Sequence, residues 1–120
     1  MQKFTIPCEL TDLNTYSNAE RTNRYIASKI KKEETYLVAT LARAKLKPIE
    51  GAYKTRFLWI TKDERKDADN VAFAKKFIHD GLVVAGITKN DSRKFLKGFS
   101  DEFAVDKSNP RVEVEIHEII

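Results

Sequence analysis

The alternation of apolar and polar positions changes period several times along the chain, and each change predicts an element. Tyr53-Lys54-Thr55-Arg56-Phe57-Leu58-Trp59-Ile60-Thr61 has a period of two, with Tyr53, Phe57 and Trp59 on one side of the pleat. Rich in β-branched and aromatic side chains, it predicts a central strand. Val112, Val114 and Ile116 alternate with Glu113, Glu115 and His117, so Arg111 to Ile119 is a strand, and Arg93 to Val105 is another, with Gly98 marking a bulge or bend. Asp106-Lys107-Ser108-Asn109-Pro110 forms the turn between them. Near the start, Phe4 to Leu10 is short and contains Pro7, as expected of an edge strand or one with irregular pairing.

Two segments follow the helical period. Ser17-Asn18-Ala19-Glu20 has the form of a capping box, so a helix should run from there to Lys45 or Leu46, where Pro48 and Gly51 end it. Its apolar stripe is Ile26, Ile30, Leu37 and Leu41. Arg21, Arg24, Lys31, Lys32 and Arg43 fall on the opposite face as a basic ridge, diluted by Glu33 and Glu34. Val71 to Ala85 carries Val71, Ala74, Ile78, Leu82 and Ala85 on one face, with Gly86 just past the end. The order β, α, β, α, β, β predicts an α+β fold: a single domain over residues 1–120, with a small mixed sheet and two main helices.

Composition narrows the possibilities. At 120 residues, 42% hydrophobic and 33% charged, the chain can form one core but holds no apolar run of membrane-spanning length. With no signal-peptide pattern and only Cys8, a cytoplasmic protein is expected. Cys8 reads as a small apolar residue of the first strand, and His79 as lying on the flank of the second helix; with His117, they cannot supply a structural zinc site. The four glycines are isolated, so there is no phosphate-cradling loop, and no Gly-x-Ser-x-Gly elbow is present.

The net charge of +4 hides a strong asymmetry: residues 21–66 carry thirteen Lys or Arg against five acids, and residues 101–120 carry six acids against two basic residues. A basic half suits a polyanion, although a solvated helix face produces the same count. Within this setting Asp67-Ala68-Asp69-Asn70 precedes the second helix, and Asn90-Asp91 follows it. Hard divalent cations take a few carboxylates plus water and substrate phosphate, so these acids could hold one; equally, Asp69 could cap the helix and Asp67 and Asp91 could shape turns.

Asp67-Ala68-Asp69-Asn70, the helix ending Lys76-x-x-x-Asp80-Gly81-Leu82, then Gly86-Ile87 and Asn90-Asp91-Ser92, together resemble the RusA family of Holliday-junction endonucleases. Leu13-Asn14, the stretch through Lys31-Lys32 and Asn109-Pro110-Arg111-Val112-Glu113-Val114 extend the likeness over nearly the whole chain. The resemblance implies a homodimeric nuclease, often prophage-encoded, that uses Mg²⁺ or Mn²⁺ to make paired nicks in four-way DNA junctions for recombination and repair, leaving 5′-phosphate and 3′-hydroxyl ends. It implies Asp67, Asp69 and Asp91 as metal ligands and Lys76, with Lys75 as rival, as the catalytic lysine. Arg21, Arg24, Lys31, Lys32, Arg43, Lys62, Arg65, Lys66 and Lys75 would contact DNA. Two departures stand out: Phe73 occupies the place where a family lysine is expected, and Asn90-Asp91 replaces an Asp-Asp pair. The alternative is a non-catalytic protein specific for branched DNA, which would not need acids amid its basic face.

Overall fold

The computed structural model describes residues 1–120 and forms an α+β domain of two layers, with the helices packed on one face of a four-stranded mixed sheet. The strands are β1 (Gln2–Ile6), β2 (Tyr53–Thr61), β3 (Leu96–Val105) and β4 (Arg111–Glu118), in the order β1-β4-β2-β3. β4 runs antiparallel to both β1 and β2, whereas β3 is parallel to β2. The helices are α1 (Leu13–Thr22), α2 (Arg24–Lys45), α3 (Ala68–Ala72) and α4 (Lys75–Val84). The period-two patterns decide which sheet face is covered: Phe4, Ile6, Tyr53, Phe57, Trp59, Val112, Val114 and Ile116 are all buried.

β2 is central, as its composition predicts, and β1 is an edge strand. β1 stops at Ile6 instead of reaching Leu10 because Pro7 has no N–H to extend the ladder, which leaves Cys8 beyond the strand. β3 begins at Leu96, not Arg93; Phe95 and Leu96 instead donate to the Ser92 carbonyl in a turn. The pairing Tyr53↔Leu96 followed by Lys54↔Gly98 leaves Lys97 as an extra residue on β3, the irregularity expected at Gly98.

The long helix expected from Ser17 is two helices. Asp12 caps α1, accepting from the Thr15 N–H at 2.8 Å, so the helix starts before the Ser17 box, which lies inside it. Asn23 is extended (φ −161°, ψ 106°): its N–H donates to the Ala19 carbonyl at 2.8 Å, closing α1, and its side chain accepts from the Tyr25 N–H at 2.9 Å, opening α2. One Asn ends one helix and begins the next.

The face α2 buries also differs from the expected stripe. Ala27, Val38, Ala39 and Ala42 are buried, while of the expected stripe Leu37 and Leu41 are partly buried against the core, Ile30 is intermediate and Ile26 is half exposed. The reason is a close crossing over α4: a Cβ at Gly81 would lie 2.5 Å from Val38 Cγ1 and 3.0 Å from the Thr35 carbonyl oxygen. Backbones that approach this closely favour small side chains, so Ala27, Ala39 and Ala42 join Val38 on the fully buried face, with Leu37 and Leu41 at its border.

The expected helix over Val71–Ala85 is broken at Phe73–Ala74. Phe73 and Phe77 both meet Tyr16 of α1, with ring centroids 5.4 and 5.6 Å away, and they lie 5.5 Å from each other. At the other end, Gly86 adopts φ +76°, Ile87 N–H donates to the Leu82 carbonyl and Gly86 N–H to that of Val83. This is a Schellman cap requiring the left-handed conformation glycine favours.

His79 lies on the sheet-facing side of α4 and not on its flank. Its Nε2 is 2.8 Å from Thr55 Oγ1, and its ring meets Phe57 edge-on at 5.4 Å. Burial lowers its pKa to about 4.

Two predictions concern this core. Alanine is ordinarily better than glycine in a helix by about 1 kcal/mol, but in Gly81→Ala the collision with Val38 and Thr35 should win, at a net cost of roughly 1–3 kcal/mol by urea unfolding. Val38→Ala should recover part of it, and an unchanged midpoint in Gly81→Ala would refute the close crossing. For His79, the unfolded chain takes up a proton near pH 6.5 and the folded chain only near pH 4, so stability should fall as pH drops through that window, by about 3 kcal/mol at most. His79→Gln should flatten this part of the pH dependence in parallel urea titrations; an identical slope in both proteins would rule out His79 as its source.

Candidate functional site

Lys76 and Asp80 stand one turn apart on α4, so they share a face. Lys76 Nζ is 3.0 Å from Asp80 Oδ1 and 3.1 Å from Asp91 Oδ2, giving two carboxylates converging on one positive atom. Asp91 reaches this position because its loop is pinned at both ends. Tyr53 Oη, at the start of β2, donates to the Asn90 carbonyl at 3.0 Å, and the Asn90 side chain accepts from the Ser92 N–H at 2.9 Å. The hydrogen bond from Lys76 holds the Asp91 carboxyl below the usual range, against a smaller opposing effect of burial. The hydrogen bonds to Asp80 and then Asp91 raise the Lys76 ammonium above its ordinary value.

Asp80 and Asp91 line one wall of an open groove between α2 and α4, whose other wall includes Lys31, Lys32 and Tyr36. This juxtaposition depends on the α2–α4 crossing. Glu34, expected to dilute the ridge, instead turns to Thr11, accepting from its N–H at 2.6 Å and from its hydroxyl.

Lys75, the rival to Lys76, occupies a different environment. Its ammonium pairs with Asp101 on β3 and sits 4.2 Å from the Phe99 ring centroid, and Asp101 also accepts from Trp59 Nε1 at 2.8 Å. Lys75 therefore joins α4 to the sheet.

Asp67 and Asp69 are exposed at the start of α3; Asp67 occupies the N-cap position without making a side-chain cap bond, and Asp69 lies in the first turn. The adjoining Asn70 ties α3 to α1, its Oδ1 accepting from the Asn14 N–H at 2.9 Å. The three-acid grouping of Asp67, Asp69 and Asp91 is not assembled here: no three His, Cys, Asp or Glu side chains are disposed to hold one ion. Asp91 docks against Lys76 and Asp80 of α4, beyond the Phe73–Ala74 break that separates α4 from the start of α3. A hard divalent cation takes one or two carboxylates plus water and substrate phosphate, so Asp80 and Asp91, which here share Lys76, are the pair that could supply oxygen ligands.

The residues expected to contact DNA are divided by the same geometry. Lys31 and Lys32 line the groove. Arg21 belongs to α1 and leaves the ridge at Asn23, while Arg24 opens α2. Arg43 donates to the Val84 carbonyl at 3.3 Å, near the end of α4. Lys66 pairs with Asp12 at 2.8 Å; Lys62 and Arg65 are exposed on the loop after β2. Asp80 enters the sequence reading only as part of the Lys76-x-x-x-Asp80-Gly81-Leu82 match, although its spacing of four from Lys76 is visible, and Asp101, whose contacts depend on sheet register, is passed over. No protein-family model matches this chain, and no curated protein does either.

Proposed function

We propose that this protein is a divalent-cation-dependent endonuclease acting on four-way DNA junctions. The observation that supports this reading best is the convergence of Asp80 and Asp91 on Lys76 in a groove whose facing wall bears Lys31 and Lys32. Acids within a surface meant for phosphate repel the substrate unless a cation intervenes, which separates a nuclease from a protein that merely binds DNA. Asp91 and Asp80 would hold Mg²⁺ or Mn²⁺. Asp67 and Asp69, which the RusA resemblance marks, complete the proposed set only with a rearrangement at the Phe73–Ala74 break. Bound there, a cation would supply an activated water and offset charge on the scissile phosphate. Lys76, now paired with Asp80 and Asp91, would be freed by that cation to stabilise the additional negative charge on the phosphate. Lys31 and Lys32 hold neighbouring phosphates, giving affinity and register but no base readout.

Paired nicks in a junction of near two-fold symmetry call for two copies related by a dyad. The open edge β3 supports such a dimer, since Phe99, Phe103 and Val105 are exposed along it.

The reading is tested by asparagine substitutions assayed on a four-way junction with and without Mg²⁺. Asp67→Asn, Asp69→Asn and Asp91→Asn should each retain junction binding and lose cleavage, by about 100-fold or more at Asp91, and Asp80→Asn should lose at least about tenfold because it shares the same ion. Wild-type nicking by Asp91→Asn, or cleavage indifferent to Mg²⁺, would overturn the proposal. Full activity in Asp80→Asn with loss at Asp67 and Asp69 would move the ion to the start of α3. Lys76→Ala should lower kcat far more than it weakens binding, and Lys75→Ala should chiefly lower stability; the reverse pattern would exchange their roles.

A further inference from the structure

α2 carries two of the most exposed large aromatic side chains of the chain, Tyr25 at 80% and Tyr36 at 66%. Scattered exposed aromatics are ordinary, but these are in register with lysines. Tyr25, Lys29, Lys32 and Tyr36 follow one another at intervals of four, three and four residues, within an arc of about 60° on the helix. The kink at Asn23 begins a fresh helix just before Tyr25, and Glu34 is drawn away to Thr11, leaving Glu33 as the acid beside this face; it lies 3.9 Å from Lys29. Tyr36 and Lys32 also line the groove that holds Asp80 and Asp91, so the face continues into the candidate site.

We infer that the Tyr25–Lys29–Lys32–Tyr36 face of α2 is a stacking platform for single-stranded nucleic acid that leads a strand into the groove. Two rings flank two ammonium groups on this face, so it offers base-stacking surfaces and phosphate partners together, which neither a purely apolar patch nor a purely basic one does. The two rings are about 16 Å apart along the helix, the length of about five nucleotides at the duplex-like stacked rise of about 3.4 Å each. A site of that size falls within the range for single-strand modules, where bases stack on aromatic faces with little sequence preference. The inference rests on the DNA-directed reading above and adds base stacking to it, assigning the unpaired or splayed strand near a branch point to this helix.

The experiment uses fluorescence anisotropy in EDTA, with a labelled ten-nucleotide oligothymidylate and an abasic strand of the same backbone and length. Tyr25→Leu/Tyr36→Leu should weaken oligothymidylate binding about tenfold or more, the loss expected for one or two stacked bases, and change abasic-strand binding by less than about twofold, since the phosphates and lysines remain. Lys29→Gln/Lys32→Gln should weaken both and flatten the salt slope by about 1.4, at about 0.7 for each phosphate no longer neutralised. Unchanged oligothymidylate affinity in the tyrosine variant, or equal losses on both strands, would overturn the inference. So would a wild-type dimer that the tyrosine variant converts to monomer while strand binding is unaltered, because the face would then be a protein interface. Junction cleavage in Mg²⁺, measured on the same variants, separates the two proposals. Cleavage without tyrosine-dependent stacking removes only the platform, and tyrosine-dependent stacking without any cleavage removes only the nuclease.

Discussion

The close passage of α2 over α4 at Gly81 is the constraint on which the remaining arrangement depends. A glycine at that point lets Val38 and the Thr35 carbonyl approach where a Cβ would collide, and the alanines of α2 continue the tight contact. Because α2 lies so near α4, Lys31 and Lys32 face Asp80 and Asp91 across a groove instead of lying on a remote surface. α4 in turn is fixed to the sheet from below, by His79 on Thr55 and by Lys75 on Asp101, which Trp59 also engages. The crossing supplies the geometry and the sheet supplies the rigidity.

The two lysines that open α4 show how exposure sorts ion pairs by role. Lys75 and Asp101 are 19% and 20% exposed, with a ring beneath the ammonium and an indole N–H on the carboxylate. Breaking that arrangement strands a half-buried charge, which suits a structural tie. Lys76 is 57% exposed, and its contacts with Asp80 and Asp91 are worth at most about 1 kcal/mol in such surroundings. A cation or a phosphate can displace so weak an association. The constellation is therefore only partly neutralised, one ammonium against two carboxylates, and its weak pairing is exchangeable, the behaviour that the proposed chemistry requires.

Much of this is legible in the chain, and the failures have physical causes. The strands can be read because alternation on a one-sided sheet is a strong constraint: Val112, Val114 and Ile116 have to share a face, and they do. Gly86 is correctly placed because a positive φ after a helix is a requirement that few residues meet. The helix starts are misread because the Ser17–Glu20 box competes with Asp12 and Asn23, and such local competitions are settled by tertiary docking, here Tyr16 against Phe73 and Phe77. The inward face of α2 is rotated from the expected stripe for a similar reason: Leu37 and Leu41 still pack against the core, but hydrophobicity also favours Ile26, whereas the short distance to Gly81 favours alanine. At the site, Asp91 and Lys76 come from motif and spacing. Asp101 and Tyr53 do not, because their contacts join strands and loops that sequence separation cannot bring together. Asp67 and Asp69 have the right chemistry for a cation, but spacing carries no information on whether α3 and the Asp91 loop meet.

The central claim, that the groove between α2 and α4 is where a divalent cation meets a nucleic-acid strand, can be tested directly by paramagnetic relaxation. Mn²⁺ would be titrated into the protein bound to a nuclease-resistant junction, and amide line broadening mapped by residue. The account predicts strongest broadening at Asp80 and Asp91, extending across the groove to Lys31, Lys32 and Thr35, and reversal by excess Mg²⁺. Broadening that leaves Asp80, Asp91 and the facing residues of α2 sharp would contradict it.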